Sequence, residues 1–150
     1  MKKTIIIILA ALAVSITAAA QPKAIGARLG WGGMVSYEHY LGGANFLEID
    51  GGLYGWNGVN IHVNGSYNFM IAQPNWTPRG EWGFYIGPGV SLGTYAGESG
   101  TAFNMGVFAQ IGLEYTFWFP LNLSLDIRPG YYFMSKAWGY YPALAIRYAF

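Results

Sequence analysis

Side chains that could act as an acid, a base or a nucleophile are few in this chain. Its 150 residues include two histidines, seven carboxylates and no cysteine. His62 and Ser66 are four residues apart, so an extended segment points both to one face, and Asp50 could orient the imidazole ring. His39 and Ser36 differ by an odd spacing, which places them on opposite faces. No metal cluster, phosphate loop or nucleotide motif accompanies these residues, so we expect no catalysis, no metal and no cofactor.

The overall composition excludes several classes of partner. The chain has eight Lys and Arg residues and seven Asp and Glu residues, which gives a net charge of +1, and only 10% of its residues are charged. This balance provides no basic surface for nucleic acid. Aromatic residues make up 18% of the chain, which argues against disorder. The absence of cysteine excludes a disulfide framework, and the length fits one domain.

The first twenty residues have the organisation of a secretory signal peptide. Two lysines precede the apolar run Ile5–Val14, and three small alanines then lead to Gln21. We therefore expect residues 1–20 to be a signal peptide cleaved before Gln21, and residues 21–150 to be the exported domain. The alternative, a retained membrane anchor, is less favoured because the apolar run is short for a membrane span.

The exported domain alternates between apolar and polar residues with a period of two. In the segment Leu121–Phe133, Leu125 and Ile127 fall on one face, while Ser124 and Asp126 fall on the other. Comparable alternation defines seven further segments, which are Lys23–Trp31, Met34–Leu41, Phe46–Tyr54, Val59–Ile71, Glu81–Tyr95, Phe103–Phe117 and Tyr140–Phe150. This pattern predicts an all-β protein with eight antiparallel strands, each long enough to cross a bilayer when tilted.

The two faces of these strands differ in an unusual way. The apolar face carries almost no charge, and the opposite face carries Asn, Gln, Ser and Gly rather than the Lys and Glu of a water-exposed surface. Aromatic residues collect near the strand ends of the apolar face in two groups. One comprises Trp31, Phe103, Tyr131, Phe133 and Tyr140, and the other Phe69, Trp82, Tyr115, Phe117, Tyr148 and Phe150. These features favour an up-and-down transmembrane β-barrel with aromatic girdles over the alternative, a soluble β-sandwich.

The C-terminal segment Ala143–Phe150 carries a resemblance to a known family. Together with the preceding PLNLSLDIRPG segment, it is similar to small eight-stranded outer-membrane barrels of the OmpA/OmpX type, a porin-like group of the Gram-negative envelope. Tyr148 and Phe150 resemble the signal that the barrel-assembly machinery reads, although Ala145 stands where that signal usually has glycine. The resemblance implies a cell outer-membrane protein with both termini in the periplasm, in contact with outer-membrane lipid and, during insertion, with the assembly machinery.

Charged residues on the inward face should meet inside such a barrel. Eight strands leave an interior that side chains can fill, so we do not expect a general pore. The expected polar network of the lumen comprises Arg28, Glu38, Glu48, Asp50, His62, Glu114, Asp126, Arg128 and Arg147. Counting from the predicted turns places Arg28 near Glu38 and Glu38 near Glu48. It also places His62 opposite Asp50, and Asp126 opposite Arg147. The same residues could instead line a gate or an ion path.

Inward glycines are concentrated in the predicted fifth and sixth strands, and they allow two interpretations. The residues concerned are Gly87, Gly89, Gly93, Gly106 and Gly112. They make room either for large rings such as Phe108 and Tyr85, or for a small lumen cavity that takes an apolar or lipid-like ligand. We expect a monomeric barrel with a structural or membrane-integrity role. The alternatives are a narrow channel or a binder of a small apolar ligand and, less favoured, a lipid-modifying enzyme.

Overall fold

A computed structural model describes residues 23–55, 60–97 and 99–150 of the chain. The expected signal peptide over residues 1–20 lies outside these ranges. The described residues form ten antiparallel strand segments, which are β1 Lys23–Leu29, β2 Gly32–Tyr40, β3 Phe46–Tyr54, β4 Asn60–Ala72, β5 Glu81–Gly97, β6 Gly100–Thr116, β7 Asn122–Ile127, β8 Pro129–Tyr132, β9 Ala137–Tyr140 and β10 Ala143–Ala149. No helix in these ranges has the length and apolar character to cross a membrane.

The strands close into a barrel. Neighbouring strands follow the order β5-β4-β3-β2-β1-β10-β7-β6, and the additional pairing of β5 with β6 joins the two ends of the sheet. Segments β8 and β9 pair with each other and extend β7 and β10, so the ten segments make eight barrel strands. The prediction of an eight-stranded, antiparallel, up-and-down barrel is confirmed.

Two of the eight barrel strands are interrupted. The seventh breaks at Arg128, just before Pro129, and the eighth breaks at Tyr141 and Pro142. Proline removes a backbone donor, so a continuous ladder is not available at either point. The turn between these strands spans residues 133–136 and contains Lys136 at a φ of 49°. The sequence predicted that the last strand begins at Tyr140, but Ala137–Gly139 already pair with β8, so the connection is shorter than expected.

The two ends of the barrel are distinct. Phe150 donates its backbone N–H to the carbonyl of Lys23 at 2.7 Å, so the first and last strands meet at one end. We call this the terminal end; it also holds the connections β2–β3, β4–β5 and β6–β7. The opposite end, the loop end, holds the connections β1–β2, β3–β4, β5–β6 and β8–β9.

The polarity of the barrel is inverted relative to a soluble protein. Among the described residues, nineteen polar or charged side chains are buried inside, against seven apolar ones. In β7, Asn122, Ser124 and Asp126 are buried, whereas Leu125 is 59% exposed. The outer wall is an apolar surface that includes Val35, Ile49, Leu53, Ile61, Val63, Ile71, Val90, Val107 and Ile146. Because side chains alternate along a strand, the sequence pattern alone produces this separation once the sheet closes.

Candidate functional site

The interior of the barrel holds a cluster of ion pairs centred on Glu48. Arg28, Arg128 and Arg147 all reach its Oε1 atom through guanidinium N–H groups, at 3.3, 2.8 and 2.9 Å. Gln110 donates to its Oε2 atom at 2.7 Å. A buried carboxylate that accepts this many charged donors is stabilised in its ionised form by its geometry. We call the group formed by the three arginines with Glu38, Glu48, Asp50 and Asp126 the central cluster.

Each arginine of the central cluster also has a carboxylate partner besides Glu48. Arg28 forms a bidentate pair with Asp126, and Arg128 approaches Asp50 at 2.6 Å. Arg147 approaches Glu38 at 2.9 Å. All of these side chains are at most 6% exposed, so the pairs are shielded from water.

Neutral side chains complete the cluster and were not predicted as part of it. Arg147 donates to Ser36 at 2.9 Å and to Ser124 at 2.8 Å, and Ser66 donates to Gln110 at 2.6 Å. The alternation in the sequence places these side chains on the inward faces of their strands. It does not indicate which of them make contact, because their strands lie far apart in the sequence.

The register differs from three of the four expected pairings. Glu38 lies opposite Glu48 as expected. Arg28, however, lies opposite Met34, and no ion pair of the described residues joins it to Glu38. The first connection is Gly30–Trp31, whereas the predicted first strand continues to Trp31. Moving a hairpin turn toward the N-terminus shifts every cross-strand partner.

The other two pairings also fail. Asp50 lies opposite Asn64, and His62 lies opposite Gly52, because Tyr54 pairs with Asn60 across the connection. Asp126 lies opposite Ala143 rather than Arg147, because the last turn comes earlier than predicted.

His62 lies apart from the central cluster. Its Nδ1 atom is 3.3 Å from Ser91 Oγ, and its Nε2 atom is 3.0 Å from the Thr94 carbonyl. The carbonyl can only accept, so Nε2 donates and Nδ1 accepts from the Ser91 hydroxyl. Ser66 instead donates to Gln110, so the Ser66–His62–Asp50 constellation considered in the sequence does not assemble.

Four aromatic rings close the lumen toward the loop end. Tyr54, His62, Tyr132 and Tyr141 contact one another in turn, with ring centroids 4.6, 6.3, 5.6 and 5.1 Å apart around the circle. We call this group the aromatic quartet. Between it and the guanidinium groups of Arg28 and Arg128 lies a cavity of only about 40 Å³, which has room for a few water molecules.

The inward glycines make room for large rings. A Cβ atom at Gly89 would meet the Phe108 ring, one at Gly112 the Tyr85 ring, and one at Gly93 the His62 ring. Gly106 similarly faces the Tyr132 ring at 2.8 Å, and Gly87 lies against the backbone of Tyr67 and Asn68. The space that an inward Cβ atom would take at these five glycines is therefore occupied by rings or backbone, which favours the first of the two interpretations of the sequence.

Aromatic residues on the outer wall form contact chains near both ends. At the terminal end, Trp82 packs on Tyr115 with centroids 4.6 Å apart, and Tyr115 packs on Phe117 at 4.5 Å. Tyr148 and Phe150 stack at 6.1 Å, and both are more than half exposed. At the loop end, Tyr131 contacts Phe133 and Trp138.

Within the described ranges, no three His, Asp or Glu side chains gather in a way that could hold a metal ion. The carboxylates of the central cluster face arginines instead. No family model, curated protein or solved structure matches this chain significantly.

Proposed function

We propose that this chain is an integral outer-membrane β-barrel protein with a structural, membrane-integrity role. The observation that carries the proposal is the inverted polarity of the barrel. Ile49 and Val63, near the middle of their strands, are more than half exposed, while Glu48 and Asp50 beside Ile49 are buried. In water this arrangement exposes a large apolar surface, whereas in a bilayer it places apolar side chains against lipid.

The aromatic chains at both ends of the outer wall support the same proposal. Tyr and Trp favour the membrane–water interface, because one part of each ring system is apolar and another part is polar. Trp31 and Tyr140 are exposed toward the loop end, and Tyr148 is exposed at the terminal end. Two such belts, separated by an aliphatic wall, match the girdles of a membrane barrel.

The contents of the lumen support a structural role. The central cluster occupies the interior with ion pairs, and the aromatic quartet lies between it and the loop end. Strands β1 to β7 and β10 pair in a closed ring, so the backbone of the barrel wall is hydrogen-bonded on both sides over this ring, which is a requirement for backbone inside a bilayer. Because the central cluster and the aromatic quartet block the lumen, a stable, closed barrel is favoured over a narrow channel.

The proposal is tested by producing the full chain in a Gram-negative host and separating the envelope. We expect the protein in the outer-membrane fraction, with its N-terminus at Gln21 and a gel mobility that changes on boiling. A variant that lacks residues 1–20 is the matched control and should remain in the cytoplasm. Recovery of the full chain as a soluble periplasmic protein without a heat-dependent shift would contradict the proposal.

The proposed contact with the assembly machinery has a separate test. We expect Phe150→Ala to lower the fraction of heat-modifiable barrel in the envelope, because it removes the terminal aromatic ring. Phe119→Ala is the control, since Phe119 is an exposed aromatic residue at the same end, outside the C-terminal strand. Equal assembly of the two variants would argue against recognition of Phe150.

A further inference from the structure

The terminal end of the lumen contains a cavity that the proposed structural role does not use. Its volume is about 570 Å³, within the range of small-molecule sites in proteins. Inward side chains of β1, β2, β4, β6 and the start of β7 surround it, among them Lys23, Tyr40, Met70, Glu114, Thr116 and Asn122. The mouth of a β-barrel is a frequent location for such a site.

Two buried charges line this cavity without joining the central cluster. Lys23 is 3% exposed and Glu114 is 4% exposed. Among the described residues, neither forms an ion pair, although every other buried Arg, Asp and Glu of the lumen does. Glu114 accepts hydrogen bonds from Tyr40 at 2.9 Å and from Asn122 at 3.5 Å. The Lys23 ammonium has no hydrogen-bond partner within the described part of the chain.

The presence of one cation and one carboxylate in the lining of the same cavity indicates the chemistry of a ligand. Neutral hydrogen bonds, such as those that Glu114 accepts, offset part of the cost of burying a charge, and an opposite charge offsets more of it. A ligand with a single charge would compensate only Lys23 or only Glu114. The central cluster offers no spare cation, because its three arginines already face four carboxylates. A molecule that carries both an ammonium and a carboxylate group would compensate both residues at once.

We propose that the cavity at the terminal end binds a small zwitterion of the size of an amino acid or a dipeptide. Its carboxylate pairs with the Lys23 ammonium, and its ammonium group pairs with the Glu114 carboxylate. The Met70 side chain and the small Ala24 and Ala149 residues provide apolar lining for the body of the ligand. The ligand enters from the terminal end, because the central cluster and the aromatic quartet lie on the other side of the cavity.

The site itself does not depend on the membrane proposal. Only the statement that the ligand arrives from the periplasm rests on the proposed orientation. Binding is measured on the folded mature chain, in detergent or in buffer, so a failure to bind and a failure to enter the outer membrane are separate results.

The experiment is a titration of the folded protein with the dipeptide Ala-Ala by calorimetry or by ligand-observed NMR. Two matched probes are N-acetyl-Ala-Ala, which lacks the ammonium group, and Ala-Ala amide, which lacks the carboxylate. We expect Ala-Ala to bind and each matched probe to bind about tenfold more weakly, as expected for the loss of one charge-assisted interaction. Absence of Ala-Ala binding would overturn the proposal, and equal binding of N-acetyl-Ala-Ala would show a site for anions instead.

Two variants assign the charges to their residues. Lys23→Gln should weaken Ala-Ala binding about tenfold and remove the preference over Ala-Ala amide, and Glu114→Gln should remove the preference over N-acetyl-Ala-Ala. Lys136→Gln is the control, because Lys136 lies in the turn at the opposite end. Each variant is first checked for the heat-dependent gel shift of the folded barrel. Folded Lys23→Gln and Glu114→Gln variants that bind Ala-Ala as the unchanged protein does would overturn the assignment.

Discussion

Arg28 and Asp126 lie 98 residues apart in the chain and form a bidentate ion pair inside the barrel. The pair joins β1 to β7, which flank β10 on either side in the closed sheet. Tyr85, on β5, adds a hydrogen bond to the same carboxylate at 3.3 Å. Side chains from three separated strands therefore meet at Asp126, and the central cluster links parts of the wall that share no backbone hydrogen bonds.

Removal of one partner of this pair should destabilise the barrel strongly. We expect Asp126→Asn to lower the free energy of unfolding by about 3 kcal/mol, because it leaves the Arg28 charge buried with weaker compensation. Urea unfolding followed by tryptophan fluorescence measures the change. Glu81→Gln, at an exposed carboxylate, should change little.

A double replacement separates the ion pair from general packing. Arg28→Met with Asp126→Leu removes both charges, and we expect it to be less destabilised than either single variant. Additive losses in the double variant would mean that the two side chains contribute independently.

The fit between Gly89 and Phe108 should be sensitive to a single methyl group. Gly89→Ala places a Cβ atom against the Phe108 ring and 2.9 Å from the Gly65 carbonyl, so we expect a loss of about 1–3 kcal/mol in the free energy of unfolding. Gly65→Ala is the control, since a Cβ atom there meets nothing within 4 Å. Adding Phe108→Leu to Gly89→Ala should restore part of the lost stability, because it removes the ring that the new methyl group meets. If no stability is recovered, the strain comes from the contact with the Gly65 carbonyl alone.

A charge on the outer wall should distinguish a bilayer from water as the surroundings of the barrel. Ile49 is 52% exposed near the middle of β3. If this position faces lipid, Ile49→Arg should destabilise the barrel in vesicles by about 2–4 kcal/mol. The same replacement at Trp138, an exposed residue in the short segment β9 near the last turn, should cost less because it lies closer to the interface. Equal effects at the two positions would contradict a lipid-facing wall.

The interrupted strands should exchange their amide hydrogens faster than their neighbours. Arg128 and Tyr141 donate to each other's carbonyl oxygens over N···O distances of 3.3 and 3.4 Å, and a proline follows each of them. Long backbone hydrogen bonds next to a proline, which lacks an N–H donor, open more readily than those of a regular β-ladder. Hydrogen exchange measured by NMR should show faster exchange at Arg128 and Tyr141 than at Leu125 and Ala145 in the paired parts of the same barrel strands. Uniform protection along both strands would contradict this prediction.

The fold class and the two faces of the wall follow from local features of the sequence. Alternation such as that of Asn122, Leu123, Ser124 and Leu125 is a local property, because successive side chains of a strand point to opposite faces whatever the strand pairs with. The number of strands and the pairing of Glu38 with Glu48 across a short hairpin were therefore within reach of the sequence. The same is true of the inward charged residues of the described chain, apart from Lys23, which the sequence analysis missed.

The contacts between inward residues and the position of the open space depend on the closed barrel as a whole. The register depends on the exact turn, and the first turn at Gly30–Trp31 moved Arg28 away from its expected partner Glu38. Contacts across the lumen, such as Arg28 with Asp126, depend on the closure and stagger of the whole barrel. The position of the cavity also depends on the whole barrel. Aromatic rings occupy the interior beside the glycines, while a cavity remains at the terminal end around Lys23 and Glu114. No local pattern encodes these distances, because they are set jointly by strands that are far apart in the chain.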